Sequence, residues 1–146
     1  MKQPLYEWDE NTGVAWCTIF YKDIEFLGSA CCHEDDTDMM SKLTGQTIAE
    51  FRATLEYLRH IRDNELRPQL KALYQLYYSM NRSAKFNPKS YESKMLYSQI
   101  QNLENDLATI KENIAVLKQD LKQYIDDKEK SHQLIRSRRA AADKNN

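Results

Sequence analysis

The stretch GSACCHEDDTD, residues 28–38, gathers the residue types best suited to chemistry: Cys31, Cys32 and His33, then Glu34, Asp35, Asp36 and Asp38. Thiolates and imidazoles favour zinc, and Cys17 is the further thiol that could complete such a set. The spacing resists this reading. There is no C-x-x-C pair, His60 and His132 lie far away in sequence, and neighbouring residues of a strand point to opposite faces, so Cys31 and Cys32 diverge. A cysteine also serves as a small apolar side chain, and acids at a helix start satisfy its exposed N–H groups and the positive end of its dipole. The expectation is a strand-to-helix junction without metal, with Cys31, Cys32 and His33 as the lesser, metal-binding alternative. No phosphate-cradling glycine loop, no H-E-x-x-H and no oriented nucleophile and base accompany the acids, so a non-enzymatic protein without a cofactor is expected.

Two other groups could bind a partner. YYSMNRSAKFNPKSYESKMLY interleaves tyrosines with cations and carries Glu92 as its one acid; Tyr78, Arg82, Lys85, Phe86, Lys89, Tyr91 and Lys94 could clamp an acidic protein surface or hold phosphates and stack bases. The bland reading is tyrosines packed at helix ends beside solvated lysines. In KEKSHQLIRSRR, the side chains Lys128, Lys130, Arg136, Arg138 and Arg139 form a second basic element. It could follow a nucleic-acid backbone or dock on the acids around residues 34–38.

Positioning these groups falls to elements that the pattern outlines. Three prolines and three glycines in 146 residues disfavour a loop-rich or all-β chain. A mainly α single domain, 1–146, is expected. GVAWCTIFYKDIEFLGSAC reads as a β-hairpin over 13–32, turning at Lys22-Asp23, so that Cys17 faces Gly28 and Val14 faces Cys31. A short helix over 35–44 should start at Asp35 or Asp36 and stop at Gly45. Thr47 and Glu50 fit a capping box opening a long helix over 47–80. The apolar spacing from Leu58 to Leu66 is eight rather than seven, next to Pro68, which predicts a kink there or two abutting helices. Asn87 or Ser90 caps the last helix, 88–138, in which Leu96, Ile100, Leu103, Leu107, Ile110, Ile114, Leu117, Leu121 and Tyr124 alternate steps of four and three as a coiled-coil seam. Residues 139–146 should fray into a disordered basic tail.

The two long helices should fold back as an antiparallel helical hairpin with a thin core, which favours a homodimer or higher oligomer. The net charge of -1 conceals an acidic N-terminal part and a basic C-terminal one. Unevenly spaced cysteines and an acidic, short-of-apolar start point to a reducing cytoplasmic setting without a signal peptide or membrane span.

On the segments GSACCHEDDTDMMSKLTGQTIAEFRATLEYL, RDNELRPQLKALYQLYYSM and FNPKSYESKMLYSQI, the chain resembles small uncharacterised accessory proteins of tailed bacteriophages of Gram-positive hosts. The resemblance covers most of the chain, through G-x-A-x-C-H-x-D-D, T-G-x-x-I-A-x-x-R-A and N-P-x-S-Y. It implies a phage accessory protein acting in the host cytoplasm, and it brings no site residues; the helical scaffold with its charged, aromatic tip makes a host or phage protein the expected partner.

Overall fold

A computed structural model of the chain describes residues 2–31, 39–82 and 87–145. It is mainly helical, with an N-terminal three-stranded antiparallel sheet followed by helices. Strands β1 (Leu5–Asp9), β2 (Val14–Tyr21) and β3 (Ile24–Cys31) lie in the order β1-β2-β3. Helix α1 (Met39–His60) leads through a π-helical turn, Ile61–Leu66, into α2 (Arg67–Asn81), and α3 spans Tyr91–Lys144. The chain divides into two compact units, residues 1–56 with 116–146, and residues 57–115.

In the first unit, β2 and β3 pair in the register expected from the sequence, Val14 opposite Cys31 through Tyr21 opposite Ile24. Lys22, the first residue of the two-residue turn, takes a left-handed φ of 53°, which the right-handed twist of the strands requires at such a tight reversal. Strand β1 was not expected. It follows from the ENTG turn: Asp9 accepts from the Asn11 amide at 2.9 Å, the Gly13 amide donates to the Asp9 carbonyl at 2.8 Å, and Gly13 supplies a φ of 68°. Leu5 to Asp9 thereby pair with Thr18 to Val14.

One face of the sheet packs on α1 through small residues. Cys17 and Ala30 form a buried cluster with Ala49 and Ala53, against which Ile19 and Ile48 pack. The approach at Gly28 is so close that a Cβ there would lie 1.9 Å from the Ala49 carbonyl oxygen and 2.5 Å from the Ala53 nitrogen. Arg52 reaches over from α1 and donates to the Ser29 carbonyl at 2.6 Å.

This packing explains two departures from expectation in α1. Gly45 does not stop a helix: it is buried within a continuous one, four residues before Ala49 and eight before Ala53, on the helix face that carries the small residues. Thr47 does not build a capping box; its hydroxyl donates back to the Leu43 carbonyl at 2.8 Å. The separate helix expected over 35–44 is thus part of α1 from Met39 onward, while its expected cap at Asp35 or Asp36 lies outside the described residues. Elsewhere in this unit Phe51 meets Tyr124, with ring centroids 6.0 Å apart.

In the second unit the phase slip between Leu58 and Leu66 takes the form of the π-helical turn. The Arg67 amide donates to the Arg62 carbonyl, five residues back, so one extra residue is absorbed while the backbone stays in the right-handed helical region. Pro68 follows directly, at the start of α2, where its missing amide hydrogen costs little. Arg62 and Arg67 both bond Asp63, and the Arg62 guanidinium holds that carboxyl below its usual range.

Ser90 rather than Asn87 caps α3: its Oγ accepts from the Ser93 amide at 3.2 Å, while Asn87 Oδ1 accepts from the Lys89 amide at 3.0 Å across Pro88. Among the described residues α2 buries no side chain, and the α3 stretch of this unit buries Ser93, Leu96, Ile100 and Ile114. Tyr74 donates to the Glu104 carboxylate. At the far end, α3 continues to Lys144 instead of fraying at 139; Ala140, Ala141 and Ala142 are strong helix formers.

Candidate functional site

The described part of the expected basic aromatic surface lies within the second unit, where α2 ends and α3 begins. Tyr78 is 56% exposed and stacks on Tyr74, with centroids 6.0 Å apart and planes at 19°, and it meets Tyr77 edge-on at 6.1 Å. Arg82 closes α2, donating its amide to the Tyr78 carbonyl at 3.2 Å. Lys89 lies exposed in the turn before the Ser90 cap, and Tyr91, the first residue of α3, is 73% exposed. Lys94 is held in the first turns of α3 by the hydrogen bond that its backbone N–H donates to the Ser90 carbonyl at 3.1 Å. Lys85 and Phe86 lie outside the described residues.

Beside these groups is a cavity of about 210 Å³ lined by Tyr77, Pro88, Ser93, Lys94 and Tyr97. Ser93 is 3% exposed, and its hydroxyl has no hydrogen-bond partner among the described residues. A buried hydroxyl in that state costs on the order of 1–3 kcal/mol. Nothing in the local sequence pattern of Ser93 separates it from the other serines. Tyr77 and Tyr97 were noted only as part of the interleaved stretch.

A second, wider groove of about 520 Å³ runs along the same unit, lined by Gln69, Ala72, Leu73, Gln99, Asn102 and Leu103. Its apolar floor and amide rim carry no charge.

The C-terminal basic groups fall in the first unit. Lys128 sits over the Tyr124 ring, its Nζ 5.5 Å from the centroid, and so is tied to a helix face. Lys130, Arg136, Arg138 and Arg139 are exposed along α3. No helix among the described residues is long and apolar enough to cross a membrane.

Around the cysteines, the alternation inferred from sequence is observed: Cys17 is fully buried and faces inward, whereas Cys31 ends β3 on the exposed face. Burial, followed by the negative charge of Glu50, pushes the Cys17 thiol up to about 11, which disfavours a thiolate ligand. Among the described residues no group of three His, Cys, Asp or Glu side chains could hold a metal ion, and Cys32 and His33 lie outside them. Glu50 also meets Tyr6: desolvation, followed by its hydrogen bond to Glu50, pushes the phenol up to about 12.

No protein-family model, curated protein or solved structure matches the chain. The class defined by the fold is a mainly helical protein bearing an N-terminal three-stranded antiparallel sheet.

Proposed function

We propose that this chain is a non-enzymatic accessory protein, of the bacteriophage kind suggested by its sequence, that associates with itself and binds a host or phage protein through the end of its second unit. The observation that carries the reading is the concentration of exposed tyrosines and cations there: Tyr78, Tyr91 and Tyr97 with Arg82, Lys89 and Lys94, against Glu92. Tyrosine and arginine are the side chains that most often anchor protein interfaces, combining large rigid surface with polar ends. The natural counterpart of such a surface is an acidic patch on another protein, such as a host defence or nucleic-acid enzyme that the chain would inhibit.

Self-association rests on the thin core of the second unit. Helix α2 leaves Leu76 and Tyr78 exposed and buries no side chain among the described residues, and an antiparallel helical hairpin with a coiled-coil seam would bury more by meeting a second copy. Sedimentation equilibrium at increasing concentration tests this: a single monomeric mass throughout removes it. For the partner, the triple variant Arg82→Ala, Lys89→Ala, Tyr91→Ala should retain its helical circular dichroism and lose capture of the host protein that the parent chain retains. Undiminished capture places the binding surface elsewhere.

A second reading has its own support in the exposed Arg136, Arg138 and Arg139 on α3, which suit a phosphate backbone. An architectural nucleic-acid binder would show affinity for DNA or RNA that falls steeply with salt and drops when those three arginines become glutamine. Absence of binding at low salt removes this reading.

A further inference from the structure

The cavity beside Lys94 gives the proposed binding surface a chemical preference. Ser93 is nearly sealed from solvent yet lines this cavity, and its hydroxyl has no partner among the described residues. Four other helical hydroxyls, those of Thr47, Thr54, Thr109 and Ser131, each donate to the carbonyl four residues earlier. Ser93 has no equivalent. Four residues before it stands Lys89, in the turn that precedes α3, where no helical carbonyl is aligned to receive the hydroxyl. Its task is not capping either, since the Ser90 oxygen already takes the Ser93 amide.

The rest of the lining narrows what could satisfy it. Lys94 is the one cation among the described lining residues, and Tyr77, Tyr97 and Pro88 provide ring faces and aliphatic edges. One positive charge beside a hydroxyl donor matches a monoanion. A phosphate dianion would call for a second cation, which the lining lacks among the described residues, and a purely apolar group would leave Ser93 without a partner among them. The ring walls suit the methylene stem that carries a carboxylate. We propose that this cavity is a subsite for an aspartate or glutamate side chain of the partner protein, with Ser93 Oγ donating to the carboxylate and Lys94 pairing with it. The inference rests on the reading of this end of the second unit as a protein-binding surface.

Nuclear magnetic resonance titration of the full-length chain with an N- and C-terminally blocked hexaglutamate peptide tests it. Saturable shifts at Ser93, Lys94 and Tyr97, absent with hexaglutamine of the same length, are expected. Lys94→Gln and Ser93→Ala should each weaken binding at least about fivefold, while Lys111→Gln, which neutralises an exposed lysine farther along α3, should leave it unchanged. Ser93→Ala keeps the packing volume and removes an unpaired hydroxyl, so its fold is preserved and serves as the check on Lys94→Gln. Equal weakening by Lys94→Gln and Lys111→Gln would mean diffuse charge attraction and overturn the proposal, as would inorganic phosphate shifting the same residues with equal or greater affinity. Failure of hexaglutamate with partner capture still lost in the triple variant overturns the subsite alone; retained capture in the triple variant overturns the underlying surface.

Discussion

The two units of this chain solve the burial problem in opposite ways. In the first, sheet and helix come together because side chains are missing: Gly28 on β3 meets the backbone of Ala49 and Ala53, and Cys17 and Ala30 fill the remaining space. In the second, large side chains do the work incompletely, with Leu96, Ile100 and Ile114 buried on α3 and nothing buried on α2 among the described residues. Close backbone approach gives dense packing that cannot yield, whereas a half-buried seam of long side chains tolerates change and leaves surface for partners.

Substitutions that reverse size should separate the two regimes. Gly28→Val forces Cβ and two methyls into the α1 backbone, so sheet and helix must move apart; a loss of about 3 kcal/mol or more in urea unfolding is expected. A loss below about 1 kcal/mol would show that the approach is looser than the geometry states. In the second unit the damaging change is the opposite one. Ile100→Ala, at a buried seam position, should cost about 2–3 kcal/mol, near the low end for such truncations because its surroundings are only half-buried and can relax. Ser90→Ala removes the cap of α3 and should cost about 1 kcal/mol, recovered by Ser90→Asp.

The smallest effect sharpens the contrast through pH. Tyr6 is raised in the fold to about 12 from 10.0, so the folded chain keeps a proton that the unfolded chain releases. Its contribution is therefore complete below about pH 10 and lost as pH rises toward 12. Because Tyr6 is 42% exposed, solvent screening limits that contribution to below about 1 kcal/mol. Tyr6→Phe should flatten this part of the stability profile; an unchanged alkaline slope would assign it to other groups, including the Cys17 thiol, raised to about 11.

Legibility in the sequence followed the range of the interactions. The β2-β3 register could be read because side chains alternate with a period of two and a two-residue turn fixes every pair. Strand β1 is short, five residues beside Pro4 with Glu7 and Asp9 within it, and its local signal was the alternation Tyr6-Glu7-Trp8-Asp9 followed by the turn residues Asn11-Thr12-Gly13. The extra residue between Leu58 and Leu66 was visible as a phase slip, yet its form as a π-helical turn depends on which carbonyl Arg67 finds. Gly45 reads locally as a helix stop and is instead a point in a small-residue face. At the candidate site Lys94 and the tyrosines were legible by type, whereas the burial of Ser93 was not.

The sequence by itself determined the helical character, the strand pairing across Lys22-Asp23 and the apolar seam of α3, because these depend on periodicity and on bonds between near neighbours. Only the tertiary structure decided that Gly28 touches the backbone of α1 and that a buried Ser93 lines a cavity together with Lys94. Both depend on how closely segments distant in sequence approach, and for a glycine or a serine that distance is the whole difference between a spacer and a site.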